Sequence, residues 1–280
     1  MSRNRTLGGD VHFFDSSRPD KALGGLKSTP SFTERTFLSA LEILIISKSR
    51  YDVYLRYSEI PLRPTDEPLQ PGLYDIKPIS PDGNRQKITK ECCITRVPSY
   101  TVSGRDEKFR RRVRERDGKC VITGAVNPRS RVDADNWRTY HAAHIFPLAN
   151  GFSRWVTNRE DEHDTGTNSC QNGLLMRSHV HEEFDNFNFS INVDDDYKIV
   201  TFMEDVLDIG GRQLDPVCRD PNSGLSASDK LLRWHFRQAV LANMRGAGEP
   251  IFETDFPPGS DMVGEIMSEL FSRLNGMSLA

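Results

Sequence analysis

Five of the chain's seven histidines fall between residues 141 and 181. An unperturbed imidazole titrates near pH 6.5, so such a cluster suits proton transfer at neutral pH or ligation of a metal ion. Two short motifs frame it. The first is Tyr140-His141-Ala142-Ala143-His144-Ile145-Phe146-Pro147. The second runs Asn172-Gly173-Leu174-Leu175-Met176-Arg177-Ser178-His179-Val180-His181-Glu182-Glu183-Phe184-Asp185. His181 and Asp185 are four apart, so a helix carrying them presents both on one side. His141 and Ala143 share a strand face by its period of two. His179 reads as a surface or structural residue, as does His163 within the acidic run Arg159-Glu160-Asp161-Glu162-His163-Asp164.

His144-Ile145-x-Pro147, then Asn172, then His181 nine residues on, resembles the HNH nuclease motif of the ββα-metal superfamily. The lead-in Cys120-Val121-Ile122-Thr123-Gly124 and the ending His181-x-x-Phe184-Asp185 are similar to the subgroup common in fungal HNH-domain proteins. So is the stretch from Trp234-His235-Phe236 through Gly246-Ala247-Gly248-Glu249-Pro250, which extends the resemblance over residues 105–275. It implies a metal-dependent endonuclease that hydrolyses phosphodiester bonds in nucleic acid. Such a bond resists attack because its anionic oxygens repel a nucleophile and its alkoxide leaves poorly. The resemblance makes His144 the general base that takes a proton from water. It makes His181 and Asp185 ligands of one divalent cation, Mg²⁺ or Mn²⁺, which stabilises the transition state and the leaving oxygen. Asn172 becomes the residue whose side-chain amide bridges the hairpin so that His144 points correctly.

Family members usually carry Asp or His immediately before the base, where this chain has Ala143. His141, on the same strand face, is the candidate substitute for that third ligand. Cys120-x-x-Thr123 and the lack of any CxxC argue against a structural zinc. Two other classes of function are compatible with the motif. One is an HNH-fold binding module without catalysis, which Ala143 favours. The other is a small-molecule acid/base catalyst built on the same finger.

The elements that must hold these residues can be read in outline. Residues 105–119 form a basic helix ending near Gly118, and a compact helix surrounds 178–187. Ser190–Val193 and Tyr197–Val200 read as strands joined by Asp194-Asp195-Asp196. The expected fold is α+β, with a ββα-metal finger over 105–202 at the centre, flanked by N-terminal and C-terminal helices that complete a single core. Residues 1–30 read as an extended or partly ordered arm. Segment 31–104 holds a helix opened by the capping box Ser31-Phe32-Thr33-Glu34, then six prolines from Pro61 to Pro81 that stop regular structure, then a strand over Lys87–Val97. Segment 203–280 holds two helices, one over Ser228–Arg245 and one after Ser260.

Charge narrows the choice of partner. The chain has 280 residues and a formal net charge of −3, which argues against a wholly basic nucleic-acid coat. Residues 105–119 nevertheless carry eight basic and four acidic side chains. Arg105, Lys108, Arg112 and Arg116 sit at i, i+3, i+7 and i+11, a stripe suited to phosphates. The resemblance implies nucleic acid as the partner, to which the balance of charge adds little, with a small-molecule substrate as the alternative and no membrane. The longest apolar run, Ile43–Ile46, is too short to cross a bilayer, and the first 30 residues hold no run fit for a secretion signal. Five scattered cysteines do not form a disulfide framework, so an intracellular setting, cytoplasm or nucleus, is expected.

Overall fold

The computed structural model describes residues 5–80, 86–95, 104–147, 168–245 and 251–252. In chain order its strands and α-helices are β1 (Val11–Asp15), β2 (Ala22–Leu26), α1 (Glu34–Leu44), β3 (Ile45–Ile46), β4 (Tyr51–Leu55), β5 (Gly72–Pro78), β6 (Lys87–Ile88), β7 (Ile94–Thr95), α2 (Gly104–Asp117), α3 (Arg129–Asp133), β8 (Tyr140–His144), β9 (Gly173–Arg177), α4 (Ser178–Asp185), β10 (Phe189–Asn192), β11 (Lys198–Thr201), α5 (Asp229–Met244) and β12 (Ile251–Phe252). The class is mixed α+β, as expected. The helix expected after Ser260 and the loop around His163 lie outside the described residues.

The N-terminal part differs from the sequence expectation. Residues read as an arm form β1 and β2, which join a sheet of order β2-β1-β5-β4. β1 pairs antiparallel with β2 and parallel with β5, while β4 runs antiparallel to β5. Three of the four glycines in that stretch, Gly9, Gly24 and Gly25, stand where a Cβ would meet another atom at 2.4, 2.1 and 2.7 Å. A Cβ on Gly24 would lie 2.1 Å from the Met244 carbonyl oxygen and 2.4 Å from Phe13 Cζ. The proline-rich stretch also holds a central strand. Pro61, Pro64, Pro68 and Pro71 all precede β5, and Pro78 is its last residue, so none interrupts the ladder. Within β5, Tyr74 and Ile76 alternate into the core.

Helix α1 starts two residues later than the capping box implies. Thr33 is the N-cap and accepts from the Thr36 backbone N–H, which makes Glu34 the first helical residue rather than the third. Ser31 Oγ instead accepts the Thr201 backbone N–H of β11 at 3.0 Å, and Glu34 accepts the Thr65 hydroxyl. The strand expected over Lys87–Val97 is two short pieces, β6 pairing with β3 and β7 with β12.

Two hydrophobic clusters replace the expected single core. One gathers Phe109, Val113, Tyr140, Leu174, Met176, Val180 and Phe184 around β8, β9, α2 and α4. The other packs α1 on the N-terminal sheet through Phe13, Phe37, Leu41, Tyr74 and Ile76. Helix α5 serves both: Leu231, Leu232 and Trp234 enter the first, and Phe236, Val240 and Met244 the second. It is buried on nearly every side, which accounts for its apolar residues all round. Its polar side chains are partnered inside: His235 Nδ1 with Ser190 Oγ at 2.8 Å, Gln238 Oε1 accepting the Ile94 N–H at 2.8 Å, and Arg237 on the Glu91 carboxylate.

Because β2 touches the end of α5 at Gly24, Gly24→Ala is expected to cost about 1–3 kcal/mol through forced displacement. Urea denaturation reads this as a lower midpoint, and an unchanged midpoint would show that the strand has room.

Candidate active site

Strands β8 and β9 pair antiparallel, from Tyr140↔Arg177 to His144↔Gly173. Helix α4 follows β9 with no intervening residue. The period-two alternation of β8 divides the first histidine motif between two faces. His141 faces α4, whereas His144 and its cross-strand partner Gly173 face α2.

On the α4 side, the structure brings His141, His181 and Asp185 into one chain of contacts. His141 Nδ1 lies 3.2 Å from His181 Nδ1, with the rings nearly perpendicular at 85°. His181 Nε2 lies 3.1 Å from Asp185 Oδ2, the i,i+4 juxtaposition that the helix dictates. Partial burial, with neighbouring His181 adding to it, pulls His141 below its usual pKa. His179 is exposed.

As donors to a divalent cation, His181 Nε2 and Asp185 Oδ2 fit together. Their 3.1 Å separation is close to that of two neighbouring ligands each about 2.1 Å from an octahedral Mg²⁺. His141 engages the other ring nitrogen of His181, so it does not complete the same donor set. Ala143 is buried and has no donor. Among the described residues, no three His, Cys, Asp or Glu side chains converge as a metal-binding group.

On the α2 side, the His144 ring stacks on Phe109, with centroids 4.1 Å apart and planes 9° apart. His144 Nε2 lies 3.1 Å from Asn168 Oδ1. Asn172 is fully buried just beyond the hairpin. Its Oδ1 accepts the Phe146 N–H at 2.8 Å, its Nδ2 donates to the Phe146 carbonyl at 3.0 Å, and its own carbonyl accepts the Ile145 N–H at 2.9 Å. The Asn172 amide therefore bridges the hairpin end by locking the backbone that follows His144.

Phe109 and Asn168 were not among the residues the sequence singled out. Phe109 had a signal, since it and Val113 are the two apolar residues of a basic helix and sit at i,i+4. Both are buried. Asn168 had none, standing at the end of a long polar stretch.

The basic stripe does not survive whole. Arg116 is 5% exposed and pairs at 2.6 Å with Asp117, which is 0% exposed. Arg116 also donates to the carbonyls of Cys170 (2.9 Å), Leu225 (2.8 Å) and Gly173 (2.6 Å), while Asp117 accepts the Leu175 N–H at 2.8 Å. Arg116 thus fastens α2 to β9 and is not available to a phosphate. The helix stops at Asp117, Gly118 takes φ +63°, and carbonyls far along the chain, at Cys170, Gly173 and Leu225, enclose the last turn. Lys108 is exposed and Arg112 half-buried on α2. The side chain of Arg105 lies outside the described residues. Elsewhere on the helix, Arg110 and Arg111 lie near Glu107 and Glu115, and Arg114 covers the Trp137 ring at 5.3 Å. All five cysteines are free thiols, with Cys120, Cys170 and Cys218 buried.

Residues 120–192 match the family described as HNH endonuclease. The HNH segment thus includes β8, β9, α4 and β10, with both histidine motifs. It begins after α2, so Phe109 and the basic helix lie outside it. The match is to the family as a whole and does not single out fungal members. Residues 8–81, from just before β1 to just past β5, match a Domain of unknown function (DUF8573). No curated protein and no solved structure matches the chain.

Removing Arg116 would leave a buried carboxylate unpaired, so Arg116→Ala is expected to destabilise by about 3–5 kcal/mol. Arg116→Lys restores only part of that, because one ammonium cannot reproduce a guanidinium fork. Chemical denaturation measures both, and a wild-type midpoint for Arg116→Ala would return this residue to the surface stripe.

Proposed function

We propose that the chain is an HNH-type nuclease acting on nucleic acid, with His144 as general base and a divalent cation, Mg²⁺ or Mn²⁺, held by His181 and Asp185. The observation that carries this reading is the buried Asn172, which clamps Phe146 through both ends of its amide immediately beyond His144. It does so inside the segment that matches HNH endonucleases.

In this reading the end of β8 holds His144 where it takes a proton from the attacking water. Asn172 keeps the strand end from shifting, and α4 presents two donors from adjacent turns. The cation, when bound, supplies positive charge to the phosphate and leaving oxygen and fills its remaining positions with water and substrate. Lys108 and Arg112 on α2 face backbone phosphates as a local cationic patch on an otherwise acidic chain. Among the described residues no helix is long and apolar enough to cross a membrane.

Ala143 favours a second reading, an HNH-fold module that binds nucleic acid without cutting it, since one customary ligand position offers no donor. Plasmid nicking with Mg²⁺, Mn²⁺ or chelator separates the two. Metal-dependent nicking is expected, reduced about 100-fold or more in His144→Ala. Nicking that survives His144→Ala, or fails with both metals, would sink the nuclease reading, and binding retained without cleavage would select the second.

The patch on α2 has its own test. Affinity for DNA is expected to fall steeply with salt, with the slope shrinking by about one in each of Lys108→Ala and Arg112→Ala. A salt-insensitive affinity would remove α2 from the interface.

A further inference from the structure

We propose that Phe109 and Asn168 are positioning residues for His144, one holding the plane of its ring and the other selecting its base nitrogen. The inference deepens the nuclease reading and rests on His144 being the base.

Phe109 comes from α2, outside the HNH segment, yet its ring lies flat against the His144 imidazole at 4.1 Å and 9°. Its seat is shaped from the far side as well. Gly173 is the cross-strand partner of His144, and a Cβ there would lie 2.6 Å from both the Phe109 ring and Val113. The absence of a side chain at 173 is what lets the ring settle over the hairpin end. With an aromatic plane against one face, the imidazole cannot swing without breaking that contact. Arg116 and Asp117 bind β9 backbone groups at Gly173 and Leu175, so Phe109 is fixed in the same frame as the strand pair it covers.

Asn168 acts on the edge of the ring. A carboxamide oxygen only accepts hydrogen bonds, so Oδ1 at 3.1 Å from Nε2 requires Nε2 to carry the hydrogen. In the neutral ring that makes Nδ1 the nitrogen that receives a proton. A histidine base works only when the correct nitrogen faces the water it deprotonates. Phe109 sets the direction in which the ring edge points, and Asn168 sets which nitrogen is basic.

Selective ¹⁵N-histidine labelling of the full chain reads the tautomer directly, with His144→Gln identifying the resonances. Above the titration range of the ring, the Nε2–H form is expected in wild type and in Asn168→Asp, which keeps an acceptor, and a mixture in Asn168→Ala. In the nicking assay, kcat is expected to fall about 10- to 100-fold in Asn168→Ala and Phe109→Leu, with KM for DNA within about twofold of wild type. Phe109→Tyr keeps the flat face and restores most of the rate, whereas Leu keeps only apolar bulk.

An Nδ1–H form in the wild type, or an unchanged spectrum in Asn168→Ala, would overturn the role of Asn168. A Phe109→Leu protein with wild-type kcat, or a Phe109→Tyr protein as slow as Phe109→Leu, would overturn that of Phe109. A wild type that holds Nε2–H and loses it in Asn168→Ala, while no protein nicks DNA, would leave the role of Asn168 intact and remove the nuclease reading and, with it, the role of Phe109.

Discussion

An ion pair between sequence neighbours, Arg116 and Asp117, sealed from water at the end of α2, holds the histidine hairpin in place. Taking two charges out of water is expensive, and such a pair is tolerated only when every remaining hydrogen-bonding position is filled. Here three carbonyls take the guanidinium and the Leu175 N–H takes the carboxylate. Burial still pushes the Asp117 carboxyl up in pKa against the downward pull of Arg116. Since Cys170, Gly173 and Leu175 belong to β9 and the turn leading into it, the pair sets the height of α2 over the hairpin. Phe109, about two turns earlier on the same helix, then comes down on His144.

One short ladder thereby separates two kinds of chemistry. His144 belongs to the α2 face, where an aromatic plane and a carboxamide constrain it. His181 and Asp185 belong to α4 on the other face, joined by His141. The division follows from strand alternation, and it sets the proposed base and the proposed cation donors beside different helices. Asn172 stands where the two sides meet, clamping the chain as it leaves β8. The HNH segment does not supply all of this by itself, since one wall of the His144 site comes from the helix before it.

Helix α5 couples this assembly to the N-terminal sheet. Its first turns pack on the hairpin cluster and its later turns on the α1–sheet cluster. The β10–β11 pair does the same, with Phe189 and Ile199 entering one core and Val200 the other. The unit matched over residues 8–81 is therefore packed against the HNH segment through shared elements rather than tethered by a linker.

How much of this was legible depended on the range of the interactions. Local signals were readable: a basic helix near 104–117, a helix carrying His181 and Asp185 on one side, a strand-turn-strand after it, and the histidine spacing itself. These follow from backbone periodicity, which neighbouring residues specify. Features decided by contacts distant in sequence were misread. Gly24 and Gly25 looked like looseness, although the Met244 backbone leaves no space at the first and His12 and Val11 leave none at the second. Arg116 looked like a surface cation, and Ser31 like a helix cap until β11 claimed it. By itself the sequence determined which residues can move protons or bind a cation and on which face of a helix or strand each must stand. Only the tertiary structure decided which charges are buried, which helix covers which face, and what holds the His144 ring. Burial and stacking join groups from separate parts of the chain, and no local spacing encodes them.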